Sequence, residues 1–159
     1  MIIWTDDRVA RVEALLPPPP PPAASYVPVR EAGGFLYVAG QTPHVLGELS
    51  HRGNVGTIGQ AVVTPETARE LARGAALNSL AALKHYLGDL RQLESIVSLT
   101  GFIACGPEFR RHPWVIDGAS ETLVELLGSG GEHARAAVGV SSLPDGAPVE
   151  LSLIAFRGA

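Results

Sequence analysis

The sequence carries a single cysteine, Cys105, among its 159 residues, so no disulfide can form within the chain, and a reducing compartment suits it better than an oxidising one. Charge is scarce as well. Asp, Glu, Lys and Arg together make 18% of the residues, and the formal net charge is -4. Nucleic-acid binding at physiological salt rests on a clustered basic surface, which this balance does not supply, so RNA and DNA are poor partners. Long apolar runs are missing too. The stretch of lowest polarity, Ala75 to Leu83, is interrupted by Asn78 and Ser79 and falls far short of the roughly 20 residues that a bilayer demands. No membrane partner is expected. The N-terminal segment has acidic Asp6 and Asp7 where a secretory signal would have a basic stretch and then an apolar core, and the expected location is the cytoplasm. The histidines at 44, 51, 85, 112 and 133 show no HExxH or other paired ligand spacing, so a metal site is not indicated.

What the chain does have is apolar residues (46%) and 18 glycines, the composition of a compact protein with a core of its own. Thr5 reads as an N-cap before Asp6 and Asp7, and Val9, Val12 and Leu16 recur at helical spacing. The proline run Pro17 to Pro22 stops that helix, since it has no backbone donors and prefers an extended spacer of roughly 19 Å. Residues 1–24 are thus read as an N-terminal helix and linker, and 25–159 as the main domain.

In the main domain, Tyr26 to Val29 and Phe35 to Ala39 read as a hairpin about Gly33-Gly34. A long Ala/Leu-rich helix follows from Pro65 to Leu87, closed by Gly88. Ser95 to Cys105 reads as a buried strand and Val115 to Leu127 as a second helix. Ala134 to Ser141 is a strand, and a turn at Leu143-Pro144-Asp145-Gly146 leads to a last strand, Val149 to Phe156. This order predicts an α+β sandwich, a mostly antiparallel sheet with two main helices on one face.

Arg135 stands out in the run His133-Ala134-Arg135-Ala136-Ala137-Val138. Period two sets Val138 and Val140 on one strand face and Arg135, Ala137 and Gly139 on the other, so the arginine is expected to oppose the apolar face. A planar guanidinium among small neighbours suits a carboxylate held in bidentate fashion, and it equally suits a structural salt bridge. Glu150 likewise opposes Val149, Leu151 and Leu153. If the last two strands form a simple hairpin, about 20 Å separates Glu150 from the position opposite Arg135, and joint action would need a bulge or a second subunit. His133 can serve as an acid or base near neutral pH, or as a capping or interface histidine. His112, Asp117 and Ser120 name the parts of a Ser-His-Asp hydrolase, but Ser120 lacks the glycine-flanked elbow that exposes such a nucleophile. Cys105 reads as a small buried apolar residue.

Tyr26, Gly33, Val38-Ala39-Gly40-Gln41, the Arg135 strand, Leu143-Pro144 and Val149-Glu150 together resemble the YjgF/RidA family of reactive-intermediate deaminases. The resemblance spans Ser25 to Phe156. It implies a chorismate-mutase-like fold, a homotrimer, ligand clefts between protomers, and chemistry that needs no metal or organic cofactor. Tyr26, Gly40 and Arg135 are the implied substrate-binding residues, and His133 is counted with them for its place two residues before Arg135. Arg135 and Glu150 are the implied catalytic pair, the arginine on the carboxylate of a 2-imino acid and the glutamate on the hydrolytic water; the products are ammonia and a 2-oxo acid. The chain departs from the family pattern in carrying Ala39 for a serine, Ala137 for a cysteine and Ser25-Tyr26-Val27-Pro28 for Pro-Tyr-Ser-Gln. The N-terminal helix, the proline run and the segments around Phe109 to Trp114 and Asp117 to Ser120 mark a divergent branch. Two functions follow: imine or enamine deamination, or non-catalytic binding of a 2-oxo acid in the same cleft. Ribonuclease activity, also attached to the family by name, is disfavoured by the acidic balance.

Overall fold

The structure, a computed structural model, describes residues 1–19, 21, 22, 24–59 and 61–158. Pro20 is outside that set, and the conformation of the proline run as a whole is outside it too. Three helices, α1 (Asp6–Leu15), α2 (Pro65–Leu87) and α3 (His112–Leu127), accompany five strands: β1 (Val29–Ala32), β2 (Phe35–Gln41), β3 (Leu93–Ala104), β4 (Ala134–Val140) and β5 (Val149–Arg157). The strands form one sheet in the order β1-β2-β5-β3-β4, and every pairing is antiparallel except β3 with β4. This is the expected α+β sandwich.

Local chemistry sets the element ends. Thr64 caps α2 by accepting a hydrogen bond from the Thr67 backbone N–H at 3.1 Å, Pro65 starts the first turn, and Gly88 ends the helix at a φ of 76°. Gly33 and Gly34 turn β1 into β2 with φ of 58° and 80°, the left-handed pair that a tight hairpin needs. That hairpin starts later than Tyr26, because β1 begins only at Val29.

The helices cover one face of the sheet. Leu36, Leu80, Leu83, Ile96, Leu99, Ile116, Leu123 and Leu151 make the centre of the core between the layers. α1 belongs to this layer: Val9 and Val12 are buried, Arg11 pairs with Glu125 of α3, and Glu13 pairs with Lys84 of α2. Where α2 and α3 cross, a Cβ on Gly118 would lie 2.2 Å from the Arg69 carbonyl oxygen, so glycine is required by backbone contact. Gly118→Ala is expected to destabilise the fold by about 1–3 kcal/mol through overpacking, read as a lower urea midpoint at unchanged slope. Among the described residues, no helix is long and apolar enough to cross a membrane.

The opposite face of the sheet carries Phe35, Tyr37, Phe102, Val138, Ile154 and Phe156. Their register partners join them in rows, Phe35↔Phe156, Tyr37↔Ile154 and Phe102↔Val138. Among the described residues no element covers this face, and Phe35, Tyr37 and Val138 are between 38% and 47% exposed.

Candidate functional site

Arg135 pairs in register with Leu99 of β3, which is buried against the helices. Its side chain therefore points to the helical face, the reverse of the sequence expectation. The small residues that follow serve the same side: Ala137 packs against the core, and a Cβ on Gly139 would meet His112 Nε2 at 2.7 Å and Cys105 Sγ at 2.8 Å. Val138 lies on the exposed face. Valine alternation misidentifies the buried side because the uncovered face is itself apolar.

On the helical side, Arg135 meets α3. Its Nη1 donates to Asp117 Oδ1 at 2.7 Å and to Ser120 Oγ at 3.0 Å, and its Nη2 reaches the Pro113 carbonyl at 3.4 Å. Asp117 and Ser120 can share this partner because residues three apart on a helix face the same way. Nε makes no hydrogen bond among the described residues. Nη1 is thus fixed, while the edge formed by Nε and Nη2 keeps the side-on geometry that takes a carboxylate through two parallel bonds. The side chain is 23% exposed, which leaves that edge reachable.

Ser120 links the arginine to His133, with its Oγ 3.0 Å from His133 Nε2. The other ring nitrogen, Nδ1, lies 2.6 Å from the Gly131 carbonyl oxygen. A carbonyl can only accept, which assigns the proton to Nδ1; in the neutral ring Nε2 is then an acceptor and the Ser120 hydroxyl donates to it. The serine's imidazole is thus His133. His112 instead has its Nε2 3.4 Å from Cys105 Sγ. Burial pushes the Cys105 thiol up and the His112 imidazole down, the latter with help from Arg110, so the pair is held neutral at pH 7 as thiol and imidazole.

Glu150 lies on the other face of the sheet. It pairs with Phe102 of β3 and is half-buried, and burial raises its carboxyl above the usual range. Gly40 faces it: a Cβ there would fall 1.8 Å from Glu150 Oε1, so glycine leaves the carboxylate its place. A simple hairpin between the last two strands does not form, because β3 lies between β4 and β5. Arg135 is level with Leu99, and Glu150 with Phe102, an offset of about 10 Å along the strands and about 10 Å across them. With the sheet also between their side chains, one protomer cannot bring both onto one small ligand. Tyr26 stands ahead of β1 and is 45% exposed.

A second polar cluster fixes the loop after β2. Thr42 Oγ1 lies 2.6 Å from His44 Nδ1, and His44 Nε2 lies 3.1 Å from Asp145 Oδ2. Buried Asn78 donates to the carbonyls of both Thr42 and His44. Hydrogen bonds from His44 and Arg52 hold the Asp145 carboxyl below its usual range. Sequence spacing gives no signal for this clip, whose members meet only through the fold. No three His, Cys, Asp or Glu side chains among the described residues are grouped to hold a metal ion.

Residues 9–154 match the profile of the family described as "YjgF/chorismate_mutase-like, putative endoribonuclease". The chain is 34% identical over 147 residues to Protein TCP17 of Trypanosoma cruzi, covering 91% of this chain and 88% of that protein. Among solved structures it is similar to Atu1372 of Agrobacterium tumefaciens, a protein of unknown function, with 38% identity, a TM-score of 0.85, and 96% and 94% of the two chains covered. A Shewanella oneidensis protein matches at 28% identity and a TM-score of 0.86, over 95% of this chain and 97% of that one. With nearly its whole length matched in sequence and in fold, the chain belongs to the YjgF/chorismate-mutase-like family.

Proposed function

We propose that this protein hydrolyses 2-imino acids, or their enamine tautomers, to ammonia and a 2-oxo acid in the cytoplasm, at a cleft between protomers of a homotrimer. The observation that carries the reading is the state of Arg135. Asp117 and Ser120 hold one arm of the guanidinium, Nη2 reaches the Pro113 carbonyl with one N–H, and its second N–H and that of Nε are the pair offered to a carboxylate. Such pinning lowers the ordering cost of binding. Glu150 supplies the second element, a carboxyl whose pKa is raised by burial and that can accept a proton from water near neutral pH. Since Arg135 and Glu150 of one protomer lie on opposite sheet faces, the cleft pairs the arginine of one copy with the glutamate of the next. The uncovered apolar face around Phe35, Tyr37 and Val138 is the surface on which copies associate.

The test is ammonia release from freshly generated 2-iminobutyrate, with binding of 2-oxobutyrate measured by calorimetry and mass by sedimentation. Acceleration over buffer, with a trimer in solution, is expected. A monomer would remove the shared cleft. One observation favours a second reading, a protein that binds a 2-oxo acid without turning it over: Ala137, packed against the core, offers no polar group beside Arg135 where typical deaminases carry cysteine. That reading predicts calorimetric binding and no ammonia.

A further inference from the structure

We propose that Phe102 is the specificity residue of the cleft: its ring lines the place taken by the substrate's side chain and selects apolar 2-imino acids over those that carry a second carboxylate. The inference rests on the imine-hydrolysis reading and names the substrate class within it.

Glu150 has a different neighbour on each side across the sheet. On the β2 side stands Gly40, where a Cβ would fall 1.8 Å from Glu150 Oε1, so the carboxyl head leans over the glycine and fills that side itself. On the β3 side stands Phe102, directly opposite in register, partly exposed and on the face that the helices leave uncovered. Side chains paired in this way start from Cβ atoms about 5 Å apart. With the head turned toward Gly40, the ring and the carboxyl oxygens flank a gap over the stem of the glutamate. Val138 is the next residue in the same row and belongs to the surface assigned above to association between copies. Phe102 thus stands between the glutamate and the neighbouring copy, at the rim of the cleft.

The shape of a 2-imino acid sets the direction of its side chain. Carboxylate, nitrogen and side chain spread from C2 in one plane, and water attacks along the normal to that plane. With the carboxylate on the arginine of the next copy and the water at Glu150, the side chain runs away from the arginine along this protomer's sheet. The Gly40 side is filled by the glutamate head. The ring of Phe102 is what remains for it to meet.

Charge then decides which side chains are accepted. The rows flanking that of Glu150 on the same face, Ser152 with Thr100 and Ala136, and Pro148 with Ala104 and Val140, carry none. Burial alone raises the Glu150 carboxyl, in keeping with the lack of a cation beside it among the described residues. A second carboxylate in this place would stand about 6 Å from Glu150 with no partner, a repulsion that costs roughly 100-fold in affinity at the effective dielectric of a protein site. An alkyl side chain meets no such penalty and gains about fourfold for each methylene buried against the ring.

The test sets the imines of 2-aminobutyrate, norleucine and glutamate against wild type, Phe102→Ala and Phe102→Lys. Ammonia release is read as kcat/KM, and affinity for the matching 2-oxo acids is measured by calorimetry. Wild type should favour 2-iminohexanoate over 2-iminobutyrate by about tenfold, for its two further methylenes, and 2-iminobutyrate over 2-iminoglutarate by roughly 100-fold. Phe102→Ala should erase the first preference. Phe102→Lys, which sets a cation beside Glu150, should narrow the second to about tenfold or less. Only ratios between substrates on one protein are compared, so a general loss of activity in a variant cancels. Equal use of the three imines by wild type would overturn the assignment, as would unchanged ratios in a folded Phe102→Ala protein. Should Phe102→Lys fail to assemble in sedimentation, Phe102→Ala decides. A wild-type protein that releases no ammonia defeats the deaminase reading by itself. The 2-oxo acid affinities then judge Phe102: the same order of preference, lost in Phe102→Ala, upholds it, and any other order sinks it.

Discussion

Arg135→Leu is expected to weaken 2-oxobutyrate binding by about 100-fold or more while the protein stays folded. The substitution deletes two charge-assisted bonds from the Nε–Nη2 edge, each contributing about 1.5–3 kcal/mol, and every 1.4 kcal/mol is tenfold in affinity. The fold survives because of what is left behind. Asp117 loses its 2.7 Å partner, but its side chain is 38% exposed and Arg69 Nη1 stands 4.0 Å from its other oxygen, so no buried charge is stranded. Arg135→Lys separates charge from geometry. Lysine keeps the cation and loses the planar fork, so an intermediate loss of about tenfold is expected. Calorimetry and thermal melting on the same samples decide the matter. Unfolding of the leucine variant, or unchanged affinity, would assign the guanidinium to the Asp117 salt bridge and leave the carboxylate without an anchor.

How much of this was legible beforehand depends on where the information sits in the chain. The bounds of α2 could be read directly, since Thr64-Pro65 and Gly88 carry start and stop chemistry within a few residues of the ends. The hairpin turn at Gly33-Gly34 could be read for the same reason. The face of Arg135 could not. Alternation says which residues share a face but not which face meets the helices, and that depends on β4 lying parallel beside β3 instead of returning along β5. The period is the same for both topologies. Ser120 and His133 were separately visible as polar residues, thirteen positions apart, but only the packing of α3 over an edge strand makes them a pair. Glu150 was singled out by its place in the resemblance. Its half-burial against Phe102, and the raised pKa that results, required the sheet.

Glu150→Gln separates the chemical role of the carboxylate from its cost to the fold. If Glu150 takes a proton from the hydrolytic water, the amide should lower kcat by about 100- to 10,000-fold and barely change 2-oxobutyrate affinity. Stability should move in the other direction. Burial raises the folded carboxyl above its ordinary value of 4.5, so between the unfolded and folded pKa values the folded state binds more protons than the unfolded state. Stability then falls as pH rises through that window, and wild type stays penalised at neutral pH. Glutamine is neutral throughout and nearly isosteric. The two proteins should melt alike below the ordinary carboxylate range, and the glutamine variant should melt higher at pH 7. Gly40→Ala serves as the companion, since its Cβ would take the place of Glu150 Oε1, the far end of a flexible side chain. It should leave melting nearly unchanged and displace the carboxylate, with a loss of kcat. A glutamate protein that melts above the glutamine variant at pH 7 would mean that a cation stands against Glu150 in the assembled protein. Turnover of Glu150→Gln at the wild-type rate would remove Glu150 from water activation.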